Sequence, residues 1–116
     1  MSRDPALALD ILLACEDALS FTADLDRTGF AASKLHQAAT IRCLEIMGEA
    51  ASRTSLEFRT AHPDIPWRLM SDMRNRLIHG YAEVDLDTVW SVVTDHLPPL
   101  VTALRAIVPP DDADNP

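Results

Sequence analysis

Apolar residues return every three or four positions along most of this chain, and that spacing commits it to helices. Leu35, Ala38, Ala39, Ile41, Leu44, Met47, Ala50 and Ala51 form one stripe. Leu9, Leu12, Leu13 and Leu19 suggest a second, and Leu86, Val89, Trp90, Val93 and Leu97 a third. Strands find little support, because no β-branched run alternates with polar residues between hairpin turns. Only three glycines are available to make such turns (Gly29, Gly48 and Gly80). The expectation is an all-α chain folded as an up-and-down bundle of four or five helices. Its 116 residues suit a single domain, read here as residues 5–108. The remaining segment, 109–116, holds three Asp and two Pro before its final Pro and is expected to be disordered.

Capping chemistry sets the expected helix limits. Asp4 is a candidate N-cap for a helix over residues 5–21, with Pro5 at the first position where its missing N–H costs nothing. Residues 22–32 read as a connection or a short helical turn, and Ser33 as the N-cap of a second helix running to about Thr54. Gly48 inside that helix costs roughly 1 kcal/mol relative to Ala. A close helix–helix crossing at Gly48 would compensate. Residues 55–61 suit a short helix, and the His62-Pro63-Asp64-Ile65-Pro66 stretch a rigid connection. A third long helix is expected from Pro66 to His79, with Gly80 as its stop and Leu69, Met70, Met73, Leu77 and Ile78 as its apolar face. The fourth starts at Asp85, where Val84 and Val89 have the spacing of a hydrophobic staple. Pro98 and Pro99 should kink or restart it, leaving a last helical piece over residues 100–108.

Charge narrows the function classes. Eighteen acidic residues against ten basic ones give a net charge of −8, and nine of the ten basic residues are Arg. Broad, nonspecific grip on nucleic acid rests on many phosphate contacts and is disfavoured; one small basic site is not. No apolar run approaches the ~20 residues that span a bilayer. The first residues, MSRDPALALD, lack the layout of a signal peptide, so a cytoplasmic protein without a membrane partner is expected. Cys15 and Cys43 lie in apolar helical patterns and read as buried thiols, too few for a disulfide framework or a closed zinc site.

The densest candidate for chemistry is the segment 67–81, WRLMSDMRNRLIHGY. It sets Arg68, Arg74 and Arg76 against a single acid, Asp72, and holds the only Tyr of the chain. Arg74 and His79 are five residues apart, an offset of about 140° on a regular helix. They approach one another only if His79 ends the helix and Arg74 reaches along the axis. The same helix end favours a charged His. An Arg and a His without a metal suit RNA phosphodiester cleavage: the imidazole moves a proton at the 2′-hydroxyl or the leaving oxygen, and the guanidinium neutralises the developing charge. Metal-dependent nucleases need clustered carboxylates, and no convincing cluster is visible. Cleavage needs a base and an acid, and the motif offers a single His per chain; a two-fold dimer would supply the second. On spacing alone, an Arg and a His at a helix end more often cap the helix or simply face solvent.

The stretch IPWRLMSDMRNRLIHGYAEVDLDTVW (residues 65–90) resembles the HEPN superfamily, in particular its HepT-like branch (DUF86) of ribonuclease toxins. That branch's signature of Arg, a polar residue, three more residues, His, one residue and Tyr falls on Arg74, Asn75, His79 and Tyr81. IRCLEIMGEAASR (41–53) is similar to the branch's Leu-Glu-Ile-Ile-Gly-Glu-Ala segment, and DLDTVWSVVTDHLPPL (85–100) continues the likeness. The resemblance implies an all-α HEPN homodimer, which can assemble further, cutting RNA without metal or cofactor. Arg74 and His79 would be catalytic at the dimer interface, with Asn75 as polar support. The implied partner is a minimal nucleotidyltransferase antitoxin of the MntA type, which silences the toxin by transferring AMP to Tyr81. Negative charge two residues from His79 would repel an RNA phosphate. The rival reading is a noncatalytic nucleotide- or substrate-binding subunit of such a nucleotidyltransferase, with Arg74 and Arg76 as its grip.

Other residues carry less. Glu45 and Glu49, spaced i, i+4, can orient Arg74 or Arg76 across the bundle, or Glu45 can simply pair with Arg42. His36, His62 and His96 have no partners at ligand spacing, and Trp67 and Trp90 read as core or interface anchors.

Overall fold

A computed structural model describes residues 3–79 and 85–108. All regular structure among them is helical: α1 (Asp4–Thr22), α2 (Arg27–Ala32), α3 (Lys34–Arg53), α4 (Leu56–Ala61), α5 (Trp67–His79), α6 (Leu86–Ser91) and α7 (Leu97–Ile107). Gly80, Tyr81, Val84 and the segment 109–116 lie outside the described residues, so the expected helix stop, staple and tail do too. No described helix is long and apolar enough to cross a membrane.

The bundle is built around α3, which packs against α1 on one side and α5 on the other, while α7 closes over α1. The buried face of α3 is Thr40, Cys43, Leu44, Met47, Gly48, Ala50 and Ala51. Leu35, at the start of the expected stripe, is 76% exposed. The core face of α1 is also rotated from the expected one. Leu7, Ile11, Ala14, Cys15 and Ala18 are buried with Leu12, while Leu9 and Leu13 are exposed. On α5, Met70 and Leu77 are buried, and Leu69 and Ile78 at the edges of the apolar face are exposed. Small residues on α1 explain the first difference: Ala14, Cys15 and Ala18 allow close approach where leucines would hold the helices apart.

The expected crossing at Gly48 is present. A Cβ built there would lie 2.2 Å from the Arg74 Cβ and 2.6 Å from the Met70 carbonyl oxygen. The absent side chain therefore lets α5 lie directly on α3. Gly48→Ala is expected to lower stability by about 1–3 kcal/mol through overpacking, although the helical propensity of Ala favours it by roughly 1 kcal/mol. The denaturant midpoint measures the outcome, and a midpoint at or above wild type would contradict the crossing.

Two caps follow the expectation and one does not. Ser33 caps α3 by accepting from the His36 amide, and Asp85 caps α6 by accepting from the Asp87 amide. The Thr88 hydroxyl and that amide hold the Asp85 carboxyl below its usual range. Asp4 is not the N-cap of α1: it is the first helical residue, following Arg3. Its buried carboxylate instead accepts the Ser55 amide at 2.8 Å and the Ser55 hydroxyl at 2.7 Å. It thus ties the start of α1 to the N-cap of α4.

The two prolines act upstream of themselves. Neither Pro98 nor Pro99 can donate to a carbonyl four residues back, so the regular ladder fails before them. The chain responds with a π-helical turn over Val92–His96, in which the Leu97 amide donates to the Val92 carbonyl. α7 then restarts at Leu97, earlier than the expected residue 100, because prolines in a first turn owe no donor.

Both cysteines are buried and unpaired. Burial pushes the Cys15 thiol up to about 12, with Cys43 and Glu16 pushing the same way. Trp67 is buried and donates its indole N–H to the His62 carbonyl at 3.0 Å. Trp90 is half-buried, with its ring 5.2 Å from that of Phe30.

Candidate functional site

α5 carries the candidate residues because it ends where the chemistry needs it to end. Its final residue is His79, which is exposed. Arg74 lies five residues earlier, about 7.5 Å along the axis and 140° around it. The two therefore start on different faces. Asn75 lies between them in angle and shares the outer ridge of α5 with His79 at i, i+4 spacing.

The guanidinium of Arg74 is held from two sides. Its Nη2 lies 2.7 Å from Glu49 Oε2, and its Nη1 donates to Asn75 Oδ1 at 3.1 Å. Its Nε is buried and has no hydrogen-bond partner among the described residues. The Gly48 crossing brings this about, since the stem of Arg74 lies against Gly48 and the next residue along α3 is Glu49. Of the two candidate carboxylates, Glu49 meets Arg74, whereas Glu45 pairs with Arg42 at 3.5 Å. Arg76 is exposed on the outer side of α5. Tyr81 lies outside the described residues. No three His, Cys, Asp or Glu side chains among the described residues form a metal-holding group.

Two concavities flank α5, and the more enclosed one is not where these residues are. A cleft of about 230 Å³ is lined chiefly by apolar side chains, among them Met47, Met70, Met73 and Leu97. A broader trough of about 340 Å³ lies on the other side, with Arg74 and Ile78 of α5 on one wall and Leu7 and Asp10 of α1 on the other. Along its floor run Arg42, Glu45, Ile46, Glu49, Ala50 and Arg53 of α3. Enclosure alone would favour the apolar cleft as a ligand site, but charge and donors converge on the trough. Sequence reasoning took Arg42 only as a local partner of Glu45 and passed over Arg53 and Asp10. The available signal was the spacing 42, 45, 49, 53, which lays one charged stripe along a helix.

The family model described as ribonuclease HepT-like matches residues 11–107. The chain belongs to the HepT-like ribonuclease family. That match contains α5 whole, together with the α3 segment that meets it. Among family members, a provisionally named ribonuclease HepT from Thermococcus cleftensis is 42% identical over 91 residues, 78% of this chain and 83% of the relative. A provisionally named RNase from Methanocaldococcus jannaschii is 39% identical over 93 residues, 80% of this chain and 85% of that relative. A second from the same organism is 36% identical over 103 residues, 89% of each chain. No solved structure matches the chain.

Proposed function

We propose that this HepT-like chain is a metal-independent endoribonuclease, the toxin of a toxin–antitoxin pair, working as a homodimer. The observation that carries the reading is Arg74, fixed by Glu49 and Asn75 on a helix that ends at an exposed His79. His79 takes the proton from the 2′-hydroxyl as that oxygen attacks the neighbouring phosphorus. His79 of a second copy returns a proton to the departing 5′-oxygen. The guanidinium neutralises charge on the phosphorane between them. Asn75 keeps Arg74 turned toward the ridge that carries His79. AMP transferred to Tyr81 by a nucleotidyltransferase antitoxin would add bulk and negative charge two residues from His79.

The test is cleavage of RNA by the purified chain in EDTA, with His79→Ala run beside it. Cleavage by wild type that the variant loses supports the assignment; equal cleavage by both sinks it. The net charge of −8 favours a second reading, a noncatalytic nucleotide-binding subunit of the nucleotidyltransferase. That reading predicts nucleotide binding through Arg74 with no cleavage at all.

A further inference from the structure

Three of the nine arginines open onto one trough, and only Arg74 has so far been given a task. Arg42 and Arg53 lie on the same stripe of α3, eleven residues apart, which spans about 16 Å along the helix axis. Arg74 reaches the floor between them at Glu49. The exposed Ile46 supplies an apolar patch between the charges. Arg42 and Arg53 are both exposed, and the Arg42 side chain keeps 70% of its surface open to solvent while paired with Glu45. A guanidinium has five donors in a fork. A single contact to Glu45 leaves the rest of Arg42's donors open to a phosphate.

We infer that Arg42 and Arg53 are phosphate grips that lead a single RNA strand along the trough past Arg74. The inference rests on the ribonuclease reading and names its substrate class. The span favours a single strand, because about 16 Å is under half of the ~34 Å turn of a duplex. Charge agrees. Asp10, Glu45 and Glu49 balance the three arginines, so the trough is formally neutral and lacks the dense positive field that holds duplex nonspecifically. Isolated guanidiniums separated by an apolar patch instead meet phosphates one at a time, with sugar and base resting on the exposed Ile46. Glu45 holds Arg42 and Glu49 holds Arg74 before the strand arrives. The grips fix where the strand lies, and Arg74 and His79 act on the phosphate brought between them.

The experiment measures binding of a 2′-O-methyl RNA hexamer, which cannot be cleaved, across a salt series, together with steady-state cleavage of the unmodified strand. Wild type is compared with Arg42→Gln, Arg53→Gln, the double variant, and Arg105→Gln on α7. Exposed side chains make the variants tolerable to the fold, and helical circular dichroism checks this. The double variant is expected to raise KM at least tenfold with kcat within twofold of wild type. Its log–log salt slope should shrink by about 1.4, since each lost contact to a single strand removes about 0.7. Arg105→Gln should leave both readouts unchanged. A wild-type enzyme that cleaves while the double variant keeps its KM and slope overturns the inference alone. Equal losses in Arg105→Gln also overturn it, since any surface arginine would then serve. A wild type that neither binds nor cleaves removes the ribonuclease reading and the grips with it.

Discussion

His79→Ala is expected to lower RNA cleavage by about two to four orders of magnitude, the usual contribution of a positioned acid–base group, with the unfolding midpoint unchanged. Both halves follow from its place. His79 is the last residue of α5 and exposed, so its loss leaves no cavity and removes nothing from the buried cluster. Substitutions of that kind usually alter stability by less than about 0.5 kcal/mol. If one copy's imidazole is base and the other's is acid, wild type should show a bell-shaped pH profile, and the variant's residual rate should lose both limbs. The dimer adds a second consequence. Excess His79→Ala chain, exchanged into wild-type protein, should quench cleavage, because each mixed dimer keeps only one of the two proton carriers. Undiminished wild-type activity in such a mixture would show that one His suffices. A monomer would then do the work.

How much of this was legible in the sequence differs by residue, for physical reasons. The helices were, because apolar spacing and caps are local: Ser33 and Asp85 each cap a helix with a donor two or three residues away. Asp4 was misread because its donors are on Ser55, 51 residues on, and a carboxylate before a proline looks the same whether it caps its own helix or reaches another. Pro98 and Pro99 announced a break, but not that the strain would be relieved upstream by a π turn from Val92. Gly48 is the most informative single residue. A glycine mid-helix predicts a close crossing, and the crossing fixes the register of α5 on α3. Register then chooses Glu49 rather than Glu45 as the partner of Arg74, a choice that i, i+4 spacing alone left open. Arg42 and Arg53 stayed hidden because a charged stripe on one helix looks like a solvated face. It becomes the floor of a trough only when α1 and α5 rise on either side. Family resemblance pointed to Arg74, Asn75, His79 and Tyr81, and the structure supplies what the first two touch.

Arg74→Lys is expected to be nearly as damaging as Arg74→Ala, each lowering kcat by about 10²–10³, the cost of removing one donor aimed at developing charge. Lysine preserves the positive charge, so a role as a diffuse phosphate attractor would be kept. What it loses is the fork. In the structure one guanidinium touches Glu49 through Nη2 and Asn75 through Nη1, and a single ammonium cannot occupy both directions from the same stem. A lysine there would fall onto Glu49, the nearer anion, and turn away from the His79 ridge. Glu49→Gln tests the other side of this arrangement. It keeps an acceptor for Nη2 but removes the countercharge, so it should lower kcat by less than either Arg74 variant and leave the Asn75 contact intact. The ordering discriminates among roles. If charge alone matters, Arg74→Lys retains activity and Arg74→Ala does not. If Arg74 serves only to pin α5 to α3, both variants lose stability in step with activity, and Gly48→Ala behaves as they do. A preorganised fork predicts instead that kcat collapses in both variants while the folded helix content stays at the wild-type level.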